Sequence, residues 1–169
     1  MLIAAITDTH ENHPLIEKAK SSLKAKGCQR VIFMGDFIAP PALRRLGDVG
    51  LPIDAVYGNN DGERYGLLLS SQKYPGFTIH GEYVELTIDS RKIFLTHYPI
   101  YARHAAMTGL YDAVFYGHEH GAAKVETIGK TLLVHPGTLM STTAPMSYGV
   151  YNTTSNTIEI ITLSEAIKV

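Results

Sequence analysis

Short apolar runs alternate with polar, glycine-bounded loops along this chain, and five of the runs lead into side chains able to bind a metal. Residues 2–6 run into Asp8 and His10, residues 31–34 into Asp36, and residues 53–57 into Asn59. Residues 92–95 lead to His97, and residues 113–116 to His118 and His120. Runs of this length closed by Gly or polar residues predict buried strands. In an open α/β sheet the carboxyl ends of such strands line one crevice. The seven side chains are therefore expected to converge on a single site.

Between the first two runs, residues 14–26 carry Leu15, Ile16, Ala19 and Leu23 on one helical face and stop at Gly27. A shorter helix is expected over residues 41–46, closed by Gly47, and another around residues 105–110. Strand-helix-strand units imply parallel pairing with right-handed crossovers. The second half changes character. Residues 83–88 alternate, turn at Asp89-Ser90 and return through Ile93 to Thr96. Residues 124–128 turn at Gly129-Lys130 into 131–134, and residues 148–152 turn near Ser155-Asn156 into 157–163. These are hairpin patterns. The sum is an α/β protein with two mixed sheets packed together and helices outside. A single domain spanning residues 1–169 is expected, since no linker, repeat or boundary interrupts the pattern.

Composition narrows the partners. The formal net charge is −1 and no Lys/Arg block occurs, which disfavours a long nucleic acid. Cys28 is the sole cysteine, so no internal disulfide or cysteine-rich zinc knuckle forms, and it reads as small core filler. The first strand follows Met1 directly, and no apolar stretch approaches the ~20 residues that span a bilayer. A cytoplasmic protein without a membrane partner is expected.

Oxygen and imidazole donors without thiolate suit Mn, Fe, Co, Ni or Zn. Asp8-Thr9-His10 and His118-Glu119-His120 each place two donors one residue apart, on one side of an extended segment. Gly35 before Asp36 lets the backbone come close to an ion. Seven donors are too many for one ion that keeps open positions, but they suit two ions sharing a carboxylate, Asp36. Two metals roughly 3.5–4 Å apart hold a hydroxide between them and clamp the oxygens of an in-line displacement at phosphorus. Phosphoester hydrolysis is the reaction class favoured.

The ordered set Asp8-Thr9-His10, Gly35-Asp36, Gly58-Asn59-Asn60-Asp61, Thr96-His97 and Gly117-His118-Glu119-His120, with Pro136-Gly137-Thr138 after it, resembles the calcineurin-like metallophosphoesterases. The small single-domain bacterial and archaeal phosphodiesterases of that superfamily are the nearest in pattern. The resemblance implies a four-layer αββα sandwich with a dinuclear site, often activated by manganese. It assigns Asp8, His10, Asp36 and His120 to one ion, and Asp36, Asn59, His97 and His118 to the other. It also implies a small phosphoester substrate and, for such sandwiches, a homo-oligomer.

Three positions depart from the family pattern. Asn60 stands where His or Cys is usual, and an amide is no general acid near neutral pH. Tyr98-Pro99 follow His97 in place of Gly, and Glu11 replaces the Gly after His10. These alter the pocket walls and leave the metal donors in place. Asn60 and Asp61 are the remaining candidates for catalysis, Asp61 as the group that orients a ligand or Asn60. His135 is a candidate hydrogen-bond partner of a metal ligand, and His13 a helix-start residue near the first pair. His80 and His104 read as surface or packing residues. Tyr98, Tyr101 and Tyr116 offer rings for stacking, and Arg103 a cation for a second phosphate. The rival reading is a non-catalytic metal-binding scaffold, resembling the metallophosphoesterase-like subunit of retromer.

Overall fold

The computed structural model describes residues 1–140 and 144–163. The order is β1 (Leu2–Ile6), α1 (His13–Ala25), β2 (Arg30–Phe33), α2 (Pro40–Gly47), β3 (Ile53–Ala55), α3 (Arg64–Ser71) and β4 (Phe77–Ile79). Then come β5 (Tyr83–Ile88), β6 (Arg91–Thr96), α4 (Pro99–Met107), β7 (Ala113–Phe115), β8 (Lys124–Ile128), β9 (Thr131–His135), β10 (Ser147–Asn152) and β11 (Thr157–Thr162). One sheet has the order β11-β10-β1-β2-β3-β4, the other β5-β6-β7-β9-β8. Parallel pairs link β1 to β4 and β6 through β7 to β9, and hairpins close the edges. Both sheets are mixed, as the sequence predicts.

Strand alternation builds the layers. In β1, Ala4 and Ile6 face one way and pack with Leu15, Ile16, Leu43 and Leu67 of α1, α2 and α3. Ile3 and Ala5 face the other way, joining Ile32, Met34, Ile93, Leu95 and Phe115 between the sheets. On the far side of the second sheet, Phe94, Val114 and Leu133 meet Ala102 and Ala106 of α4. Three helices, two sheets and one helix thus stack as four layers, a successive-side-chain consequence of the β pleat. Cys28 is buried in the first of these cores.

Most boundaries fall within two residues of the sequence reading, and three elements differ more. The last helix runs from Pro99 to Met107, not residues 105–110, because Pro99 takes the first helical turn and Gly109 turns left-handed after it. Helix α3 and strand β4 went unpredicted: Arg64–Ser71 buries only one large apolar side chain, Leu67, and β4 is three residues long. No helix among the described residues is long and apolar enough to cross a membrane.

Candidate metal centre

All seven predicted donors lie just past the carboxyl ends of β1, β2, β3, β6 and β7, where the parallel segments of the two sheets open side by side. Five of them, Asp8, His10, Asp36, His118 and His120, hold positive φ angles between 41° and 76°. Such backbone is unfavourable for residues other than glycine and concentrates at functional sites. The loops have given up local backbone preference to aim these side chains inward.

The donors form two groups. Asp8, His10, Asp36 and His120 offer ligand atoms all within 4.8 Å of one another. His10 Nε2 lies 3.0 Å from His120 Nε2 and 3.1 Å from Asp36 Oδ2, and His120 Nε2 lies 3.1 Å from Asp8 Oδ1. Asp8 Oδ1 is buried without a hydrogen bond. In the second group, Asn59 Oδ1 sits 2.9 Å from His97 Nε2 and 2.8 Å from His118 Nδ1, and the two nitrogens are 3.3 Å apart. Asp36 Oδ2, 3.7 Å from His97 Nε2, reaches both groups. Asn59 and His118 are exposed while Asp8, Asp36 and His97 are buried, so the site opens to solvent on the second group's side.

Protonation states are set by the surroundings. His97 Nδ1 donates to the Met34 carbonyl at 2.6 Å, so in the neutral ring Nε2 is the lone-pair nitrogen, facing the Asn59 oxygen. Lone pairs so arranged repel unless a cation lies between them. The Asp8 carboxyl is pushed up to about 6, by burial first and by the Asp36 charge, although Thr7, His97 and the His118 N–H oppose this. Burial also works against Asp36, yet hydrogen bonds from His10 and Asn60 outweigh it and hold its carboxyl well below the usual range. His10 is raised despite burial, through its hydrogen bond to Asp36 and the charges of Asp36 and Asp8. Burial and His10 lower His120. Two buried carboxylates, facing imidazoles and an orphaned Asp8 oxygen fit divalent cations in donor type and in charge.

Asn60 and Asp61 do different work. The Asn60 side chain donates to Asp36 Oδ2 at 2.7 Å and its backbone N–H to Oδ1 at 2.9 Å. Asp61 is buried and accepts three backbone N–H groups: Asp36 and Gly58 on Oδ2, Ile38 on Oδ1. It ties the β2 and β3 loops together and touches no donor atom directly. Gly58 sits at that junction. A Cβ there would strike Asp36 Oδ1 and come within 2.6 Å of the Asp36 nitrogen, so Gly58→Ala is expected to displace Asp36. Metal binding measured by calorimetry should weaken by more than about ten-fold; unchanged affinity would show that the loop yields freely.

Residues the sequence did not flag also shape the site. Thr7 donates to Asp8 Oδ2 at 2.7 Å, and the His118 N–H to the same oxygen at 3.0 Å, which leaves Oδ1 to face the imidazoles. A threonine directly before the first Asp is the only trace of this in the sequence; the Met34 carbonyl leaves none.

The remaining histidines scatter. His13 opens α1, 3.5 Å from Glu11. His80 pairs with buried Asp54 at 2.8 Å, and His104 is exposed on α4. Arg103 pairs with Glu126 at 2.9 Å, on the outer face. His135 is buried, with its ring 5.3 Å from that of Tyr116, and neither nitrogen makes a well-formed hydrogen bond. Burial pulls it down to about 4. The folded protein therefore keeps it neutral while the unfolded chain takes up a proton near 6.5. Stability is lost as pH falls from about 6.5 towards 4, on the order of 3 kcal/mol from this residue. Urea unfolding of metal-free protein and His135→Asn across that range should give profiles that converge at low pH. Parallel profiles would contradict the assignment.

A calcineurin-like phosphoesterase superfamily domain matches residues 1–156. The chain belongs to that family, and its chemistry is that of a phosphoester hydrolase. It is 33% identical over 139 residues to phosphodiesterase MJ0936 of Methanocaldococcus jannaschii, covering 81% of this chain and 83% of that protein. The solved structure of an archaeal phosphodiesterase superposes with a TM-score of 0.89 at 30% identity, over 96% of this chain and all of the other. Chaetomium thermophilum Vps29 shares the fold at a TM-score of 0.65 and 16% identity, over 90% and 80% of the two chains.

Proposed function

We propose that the chain is a dinuclear metal-dependent phosphodiesterase acting on small phosphodiesters. The observation that carries this reading is Asp36, whose Oδ2 faces both donor groups. Asp8, His10, Asp36 and His120 would hold one divalent ion, and Asp36, Asn59, His97 and His118 the other. The family resemblance favours manganese, and the oxygen and imidazole donors suit Ni, Co, Fe and Zn as alternatives. Bound there, the pair supplies an activated water and neutralises charge developing on the phosphoryl oxygens. The kinship with phosphodiesterase MJ0936 supports a diester over a monoester.

The chain's own residues do the rest. Asp61 fixes the two loops that carry Asp36 and Asn59. The Met34 carbonyl fixes the His97 tautomer. The Asn60 amide, bonded to Asp36 here, is placed to donate to a phosphoryl oxygen but cannot protonate a departing alkoxide. Turnover is therefore expected to fall steeply as the leaving group's pKa rises, and Asn60→His to flatten that dependence. Rates on aryl esters of graded pKa decide it: a flat line for the parent enzyme, with chemistry rate-limiting, contradicts this role for Asn60. The scaffold reading loses ground because every donor position is filled.

A further inference from the structure

Beside the second donor group lies an apolar groove of about 690 Å³, lined chiefly by Tyr83, Phe94, Tyr98 and Tyr101. Its size is that of a small-molecule pocket. Tyr98 is the wall it shares with the metal centre. The Tyr98 ring stands 5.2 Å from His97 and 5.6 Å from His118 on one side, and 5.6 Å edge-on to Tyr101 on the other. Tyr83 stacks on Phe94 at 5.7 Å to form the floor. Tyr83 and Tyr101 are 61% and 55% exposed, so rings are held in water with open faces.

We propose that this groove is a substrate subsite, built to hold a planar aromatic group, aryl or nucleobase, on the ester arm that stays with phosphorus when the phosphodiester is cleaved. The assignment rests on the phosphodiesterase reading above. Continuity carries it: a phosphorus held at the donor groups places its ester substituent on the exposed side, and Tyr98 leads from His118 directly into the groove. Tyr98-Pro99 creates both features at once. Tyr98 supplies the wall, and Pro99 starts α4, whose residues Tyr101, His104 and Ala105 form the opposite side with the C-cap Thr108. The lining is apolar and aromatic, which suits a ring. Glu82 at the rim is neutralised by Arg64 at 2.6 Å, so it does not repel a phosphodiester.

The test keeps the leaving group constant and varies the other substituent. With manganese added, kcat/KM is measured for methyl 4-nitrophenyl phosphate and for the 4-nitrophenyl ester of thymidine 5′-phosphate. Tyr101→Ser and Tyr83→Ser lie away from the donors and are exposed, so folding is not at stake; Tyr101→Phe retains the ring. The nucleoside ester should lose about ten-fold in kcat/KM in the Ser variants, mainly through KM, with the methyl ester unchanged and Tyr101→Phe near the parent. Equal behaviour of both esters in every variant overturns the subsite while leaving the hydrolase reading intact. A change in sedimentation without a change in the ester ratio overturns it too, marking the groove as a contact between copies. No turnover of either ester by the parent enzyme removes the phosphodiesterase reading, and the subsite falls with it.

Discussion

Replacing Asp36 by Asn is expected to lower turnover by on the order of a thousand-fold or more and to weaken metal binding at both donor groups together. Asp36 Oδ2 stands 3.1 Å from His10 Nε2 in the first group and 3.7 Å from His97 Nε2 in the second. Its carboxyl is fully buried and held ionised by His10 and Asn60. An amide has the same shape but one oxygen and no charge, so neither group keeps its shared anion. Asp8→Asn makes the control, because Asp8 contributes to the first group alone. Metal analysis of the two purified variants separates the cases. Asp36→Asn carrying two ions per chain with full turnover contradicts the shared-ligand assignment.

The second large effect is one of folding. Asp61 never meets a donor atom, yet Asp61→Ala is expected to cost roughly 3–5 kcal/mol of stability. The substitution strands the N–H groups of Asp36, Ile38 and Gly58 in a buried junction. Each orphaned donor costs about 1–3 kcal/mol, and the three do not add fully because the loop relaxes. Asp61→Asn keeps one acceptor oxygen and should lose less. Urea unfolding in the presence of a chelator isolates this term from metal binding. A midpoint for Asp61→Ala matching that of the parent protein contradicts it.

Much of this architecture was legible in the chain because the site sits on strand ends. Strands β1, β2, β3, β6 and β7 come from apolar runs that lead into the predicted donors just beyond them, so one pattern announces the fold and the candidate site together. The hairpin turn at Asp89-Ser90 was equally readable, and both residues take positive φ there. What stayed hidden depends on contacts between distant segments. Asp61 looks like a turn residue until the β2 and β3 loops are brought together around it. The groove is invisible because Tyr83 and Phe94 come from β5 and β6, and Tyr101 from α4. Helix α3 was missed because half its surface faces water and no strong apolar stripe marks it.

If two divalent ions share Asp36, phosphodiester hydrolysis depends on both of them. The most direct test strips the protein of metal and titrates manganese back while following bound ions per chain and cleavage of bis(4-nitrophenyl) phosphate. The expected result is no turnover without metal, two ions bound at saturation, and activity that tracks filling of the second site. Full activity with a single ion bound, or with none, would contradict it.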